Sequence, residues 1–315
     1  MRGKRNLAFV FPGQGSQGIG MLSALAGQGA PVRDTFTEAS RVLGYDLWEL
    51  TQNGPEQELN RTAVTQPALL TAGVAVWRLW QSRNGPVPAL LAGHSLGEYT
   101  ALVCAGVIPF AEAVSLVQDR GRAMQSAVPE GSGLMAAILG LDDEQVELIC
   151  REAAEGQVVA TANFNAPGQV VIAGNREAVE RAMGLAGEMG AKRAIPLSVS
   201  VPSHCALMRE AAQAFARRIE QVDFSNAAIP LVQNVDAVRR ESGADIREAL
   251  VRQLYEPVRW VDTITGMKAE GIDTIIESGP GKVLIGLIKR IHRDIRGFAV
   301  NDPPSLETAL QEADK

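Results

Sequence analysis

The 315-residue chain has only three cysteines and three histidines. Cys104, Cys150 and Cys205 make no CxxC spacing and leave an odd thiol, which argues against a disulfide framework and against a zinc site. A reducing cytoplasm is the expected compartment, with no metal and no cofactor. Positive charge is also scarce: 30 Lys and Arg face 36 Asp and Glu, a formal net charge of -6. A nucleic-acid binder needs the opposite excess on one face. No stretch approaches the roughly 20 apolar residues of a membrane helix; even residues 67–80 are interrupted by Arg78. The basic opening, residues 1–5, leads into an apolar run over 7–11 that is too short for a signal peptide and closes on Pro12-Gly13. It reads as a first buried strand. A soluble monomer is expected, with neither nucleic acid nor membrane as partner.

What remains is ordinary globular material, 46% hydrophobic and 21% charged. Apolar runs of four to six residues, bounded by glycine and proline, alternate with helical patterns, so the expected class is α/β with parallel strands. Residues 7–11 and 89–92 are the clearest strands, each ending in a Gly-rich turn. From Ser132 to Ser198 the order is strand 134–139, helix 142–155, strand 158–163, strand 169–173, helix 176–189, strand 192–197. That is βαββαβ, the ferredoxin-like order. Helix 206–220, a strand near 229–232, helix 245–254 and strand 274–277 then resume the first pattern. The reading is an α/β-hydrolase-like large subdomain, residues 1–130 and 199–315, with a ferredoxin-like small subdomain, 131–198, inserted in it.

Gly93-His94-Ser95-Leu96-Gly97 is a GxSxG pattern, with a strand leading in and helical spacing over 96–105 leading out. A nucleophile on such a strained turn needs glycine two residues to either side, where a Cβ would collide with neighbouring backbone. The turn would lift the Ser95 hydroxyl out of the sheet and aim a helix N-terminus at whatever it attacks. The bland alternative is a tight glycine turn with a capping serine. Gly13-Gln14-Gly15-Ser16-Gln17-Gly18 matches GxGxxG with Glu38 about 20 residues on, so a nicotinamide-dependent oxidoreductase is a rival. Against it, residues 34–43 carry Phe36, Ala39, Val42 and Leu43 on one helical face, where the dinucleotide fold needs a strand.

A serine nucleophile needs a base, and three histidines are available. His94 adjoins Ser95, and successive side chains leaving a strand diverge. His292 lies among Lys289, Arg290 and Arg293 and reads as an exposed helix residue. His204 remains; Cys205 beside it reads as a bystander. Acidic residues are too many to pick a third triad member. In the helix 110–127, Ala113, Val117, Arg120 and Met124 share a stripe. Arg120 there reads either as a carboxylate clamp or as a snorkelling surface arginine.

Residues 11–17, Phe-Pro-Gly-Gln-Gly-Ser-Gln, with residues 93–99, Gly-His-Ser-Leu-Gly-Glu-Tyr, resemble the malonyl-CoA:acyl carrier protein transacylase family of fatty-acid synthesis, whose acyltransferase domains also occur in polyketide synthases. The likeness continues through Val201-Pro202-Ser203-His204, Gln253-Leu254-Tyr255 and Gly279-Pro280-Gly281-Lys282. It implies that the backbone N–H groups of Gln14 and Leu96 form an oxyanion hole. It implies that a main-chain carbonyl at Gln253 orients His204, with no carboxylate required. Arg120 would hold the malonyl carboxylate, with Met124 lining the same pocket. Transfer would run from malonyl-CoA through a malonyl-Ser95 ester to the carrier thiol, and the expected pathway is fatty-acid supply. Carrier proteins of this kind are acidic, so Lys289, Arg293 and Arg296, read as one face of a helix after Gly281 with Arg290 beside them, are a docking patch or else a solvated helix end. The remaining rival is a serine esterase or thioesterase of α/β-hydrolase type.

Overall fold

The computed structural model describes residues 3–197, 199 and 201–315. Met1 and Arg2 of the basic opening, and Ser198 at the expected end of the insertion, lie outside them. Among the described residues ten strands form two sheets: β1 (Gly3–Phe11), β2 (Val87–Gly93), β3 (Gly133–Leu139), β4 (Val159–Ala166), β5 (Gln169–Asn175), β6 (Arg193–Pro196), β7 (Leu231–Val232), β8 (Arg239–Arg240), β9 (Thr274–Ser278) and β10 (Arg296–Val300). The larger sheet runs β10-β9-β1-β2-β7-β8. Every pairing in it is parallel except β7 with β8. Leu7 to Phe11 are each fully buried, as expected of a strand covered by helices on both faces and therefore apolar without alternation.

The smaller sheet runs β4-β5-β3-β6 and is antiparallel throughout. That is the ferredoxin-like arrangement, in which helices Asp143–Ala153 and Arg176–Glu188 pack on one face around Ile138, Val146, Ile149, Ile172, Val179 and Ala182. Backbone hydrogen bonds join the small sheet to the segment at Val258 of the large unit. Phe164 donates its N–H to the Val258 carbonyl at 2.9 Å and Val258 donates to Ala162 at 2.9 Å, so β4 gains a short parallel bridge to the large unit.

Two stretches depart from expectation. The helix read over 206–220 begins as a 3-10 turn, Ala206–Met208, and becomes α-helical only at Arg209–Ile219. The helix after Gly281 spans Val283–Ile291 and stops there; Arg296 opens β10 instead. Among the described residues no helix is long and apolar enough to cross a membrane.

The turn after β2 shows why its glycines are fixed. A Cβ on Gly97 would lie 2.0 Å from the Phe11 carbonyl oxygen, and one on Gly93 would lie 1.9 Å from the Gly97 carbonyl carbon. Helix Gly97–Cys104 therefore touches the end of β1 backbone to backbone, and Ser95 between them takes φ 52°. About 1–3 kcal/mol of strain is typical of such a residue, and the surrounding structure must over-determine it.

Gly97→Ala should therefore lower the unfolding free energy by at least about 3 kcal/mol, near the top of the range for overpacking. Gly184 offers the contrast: it is exposed inside a helix, and a Cβ there would meet nothing within 4 Å. Gly184→Ala should raise stability by about 0.5–1 kcal/mol through helix propensity. Urea denaturation of both variants checks the pair, and equal effects would refute the steric account.

Candidate active site

At the elbow, Ser95 donates its N–H to Asn234 Oδ1 at 2.7 Å, and Asn234 Nδ2 donates to the Gly93 carbonyl at 2.7 Å. Ser95 Oγ lies 2.7 Å from His204 Nε2, and His204 Nδ1 lies 2.7 Å from the Gln253 carbonyl. A carbonyl can only accept, so Nδ1 carries the proton and Nε2 is left to accept from the serine hydroxyl. His204 is 2% exposed and held at φ 61°, its own N–H donating to the Leu254 carbonyl at 3.0 Å. Burial, and then the Arg120 guanidinium, push its pKa down to about 3. The imidazole is thus neutral at physiological pH, the form a base requires.

Gln253 closes the helix Gly243–Gln253. Carbonyls of the last helical turn lack an intrahelical partner and carry the negative end of the macrodipole. One of them here occupies the position that a carboxylate occupies in a serine triad.

Arg120 is 1% exposed on helix Phe110–Ser126. Its Nη1 donates to Gln66 Oε1 at 2.9 Å and its Nη2 to Gln253 Oε1 at 2.9 Å and to Ser95 Oγ at 3.4 Å. The guanidinium carbon sits 5.3 Å from the centre of the Tyr99 ring, and Nε is buried without a partner among the described residues. Of the two readings that the stripe allowed, the snorkelling one does not fit: this side chain is buried and reaches the Ser95 hydroxyl.

Gln14, Ser95, Leu96, Arg120, Met124 and His204 line one cleft, together with Met135, Asn163, Leu197, Val199 and Val201. In the first helical turn the N–H groups of Gly97, Glu98 and Tyr99 donate to the carbonyls of His94, Ser95 and Leu96. Neither the Gln14 nor the Leu96 N–H meets a protein acceptor among the described residues. The first Gly-rich turn is pressed against the elbow, because a Cβ on Gly13 would lie 2.5 Å from the His94 carbonyl oxygen.

Other residues fall elsewhere. His94 turns away from Ser95 to pair with Asn165 at 2.8 Å, edge-on to Trp260. Glu38 lies on helix Ala30–Leu43 and is ion-paired with Arg78 at 2.7 Å, so no acidic residue closes a second strand where a ribose would bind. Cys205 is buried, donates to the Pro202 carbonyl at 3.2 Å and has its thiol pushed up to about 11 by burial. The basic patch needs correction. His292 is the C-cap rather than an exposed helix residue, with a buried Nε2 that has no partner among the described residues. Arg296 does not share the helix face, because it begins β10 and is bound by Asp273, Glu312 and Thr274. Lys289, Arg290 and Arg293 do remain exposed.

Sequence reasoning missed Gln66, Glu98, Asn234 and Asn165. Gln66 and Glu98 each interrupt an otherwise apolar helix just as Arg120 does, and that interruption was the available signal.

The Acyl transferase domain family matches residues 8–302. A Salmonella typhimurium protein named malonyl CoA-acyl carrier protein transacylase is 58% identical over 305 residues, 97% of this chain and 99% of that one. An acyl carrier protein S-malonyltransferase from Vibrio cholerae, solved by crystallography, is similar with a TM-score of 0.94 and 57% identity, covering 96% of this chain and 99% of that one. A malonyl-transacylase solved in complex with its type II PKS acyl-carrier protein gives a TM-score of 0.96 and 57% identity, covering 98% and 99%.

The histidine has a consequence for stability. Between pH 6.5 and about 3 the unfolded chain binds a proton at His204 that the folded chain refuses, so stability falls as pH falls through that window and is unaffected above it. Buried Glu98, raised to about 7, works in the opposite sense over 4.5 to 7. Comparison with His204→Gln isolates the first effect: the variant should lose less unfolding free energy than wild type between pH 6.5 and 4. Parallel pH profiles would contradict a neutral buried imidazole.

Proposed function

The chain belongs to the acyl transferase domain family, and on that premise we propose that it moves the malonyl group from malonyl-CoA to the phosphopantetheine thiol of acyl carrier protein through a malonyl-Ser95 ester. The observation that carries the substrate is Arg120, a buried guanidinium at 3.4 Å from the nucleophile whose protein partners are neutral. A free acyl carboxylate completes that site; an acetyl group leaves the cation unmatched.

In the cycle, His204 Nε2 takes the Ser95 proton as Oγ attacks the thioester carbonyl. The N–H groups of Gln14 and Leu96 receive the oxyanion; each such donor is typically worth about 2.7–4 kcal/mol in the transition state. Collapse expels the CoA thiolate, which recovers the proton from the imidazolium. The carrier thiol then loses its proton to His204 and attacks the ester, and Ser95 leaves with that proton. The path is ping-pong. Met124 packs beside Arg120 as pocket wall.

An esterase of α/β-hydrolase type would set an acid behind its histidine, and here a helix carbonyl stands in that place. We place the small subdomain at 131–198 within a catalytic unit of 1–130 and 199–315, and the protein as a monomer in the cytoplasm supplying fatty-acid synthesis. Lys289, Arg290 and Arg293 are the proposed contact for an acidic carrier protein. Arg290 reaches Gln169 of β5, which sets this helix end against the small sheet.

Incubated with malonyl-CoA, wild type should gain one malonyl mass by intact mass spectrometry and Ser95→Ala should gain none. Arg120→Ala should lose malonyl transfer by roughly 10²-fold or more, with acetyl transfer changed far less, since only the charged group relies on the clamp. Equal losses for the two acyl groups would sink the clamp. Reversing charge at Lys289 and Arg290 should raise the carrier-protein KM several-fold while sparing acylation by malonyl-CoA, as expected for charges at an interface rim; unchanged kinetics would refute the patch.

A further inference from the structure

Glu98 is 1% exposed, lies three residues past the nucleophile and takes no part in the cycle above. A buried carboxyl costs several kcal/mol where an apolar side chain would cost nothing, so its bonds need a reason. Oε2 accepts from Gln253 Nε2 at 2.9 Å and from the Asn234 N–H at 3.2 Å. Those two residues hold both members of the dyad. Gln253 gives its carbonyl to His204 Nδ1, its Oε1 to Arg120 and a second bond from Nε2 to the Ser95 carbonyl at 2.8 Å. Asn234 grips the Ser95 N–H and the Gly93 carbonyl.

From this geometry we propose that Glu98 is a positioning residue that keeps nucleophile and base in register, through Asn234 on one side and Gln253 on the other. It touches no reacting atom. Three long-range segments, the elbow, the turn after β7 and the end of helix Gly243–Gln253, meet at one carboxylate oxygen, and among the described residues no other side chain in the cleft bonds both Asn234 and Gln253. The second oxygen, Oε1, is buried with no partner among them, so what the site uses is a single acceptor. The charged groups that face it are Arg120, from helix Phe110–Ser126, and Asp236, from the turn between β7 and β8. The idea rests on the dyad of the proposed function but not on its acyl group.

The test compares Glu98→Gln, which keeps an acceptor oxygen of the same reach, with Glu98→Leu, which removes it. Two readouts apply to the full chain: the rate at which a small fluorophosphonate labels Ser95, and the 15N imidazole spectrum of histidine-labelled protein, simple because there are three histidines. Glu98→Leu should slow labelling by about 10²-fold, the lower end of what a misplaced base forfeits, and should lose the single Nδ1–H tautomer of His204. Glu98→Gln should stay within about threefold of wild type with that signal intact, because one acceptor bond is conserved. A folded Glu98→Leu enzyme with wild-type labelling and spectrum overturns the proposal, and so does equal loss in both variants, which would make charge rather than position the requirement. If Glu98→Leu does not fold, Glu98→Asp, which withdraws the oxygen by one methylene and keeps the charge, carries the same expectations. Labelling without acylation by malonyl-CoA would defeat the malonyl reading and leave the role of Glu98 standing.

Discussion

A guanidinium buried to 1% exposure is the constraint around which this site is arranged. Removing such a charge from water costs several kcal/mol, and polar partners must return it. Here they are two amide oxygens, a hydroxyl and an aromatic face. Among the described residues no carboxylate lies within ion-pair distance of Arg120. Amides satisfy hydrogen bonds without cancelling charge, so the bonds that hold the guanidinium leave it positive. That field depresses the His204 pKa along with burial, and it leaves the cation able to take an anionic acyl group.

The same constraint explains what stands behind the histidine. An aspartate at Nδ1 would be the usual orienter of a serine hydrolase. With Arg120 bonded to the very residue that supplies the carbonyl, a carboxylate there would pair with the guanidinium and close it to the anionic acyl group proposed above. A helix-terminal carbonyl carries only a partial charge. It fixes the tautomer, tolerates the neighbouring cation and supports the imidazolium more weakly, which suffices for a thioester because it is more reactive than an amide.

The parts legible in the sequence are those whose signal is local. The elbow announces itself because sterics confine glycine to Gly93 and Gly97 within five residues. His204 is singled out by elimination in a chain with three histidines, whereas the stripe marks Arg120 but leaves clamp and surface arginine open, and the family resemblance favours the clamp. The ferredoxin-like arrangement of the small sheet followed from its βαββαβ order of strands and helices. Asn234, Gln66 and Glu98 act across separations of 139, 54 and 136 residues, and no periodicity encodes such contacts. The misplacement of Arg296 has a physical source as well. Residues 283–291 carry a strong helical stripe, whereas β10 buries only Val300 fully and borders a single strand, so its pattern is too faint to mark where the helix ends.

Why an insertion should sit on such a catalytic unit follows from which walls it supplies. Met135 and Asn163 come from the small sheet, and Leu197 and Val199 from the segment leaving it. The elbow, Arg120 and His204 form the opposite side. The apposition is fixed twice close to the nucleophile, by the Val258 bridge to β4 and by the bond of His94 to Asn165. On the proposed reading, an acyl-serine formed between these walls would have Met135, Leu197 and Val199 with Asn163 on one flank and a guanidinium occupied by its own carboxylate on the other. Among those four side chains Asn163 alone is polar, whereas a site must offer about two to four polar partners to hold a water. A thiol delivered on a long flexible arm needs none of them. On the proposed reading the small subdomain would thus lengthen the life of the ester, and that longer life would turn hydrolase-like geometry toward transfer.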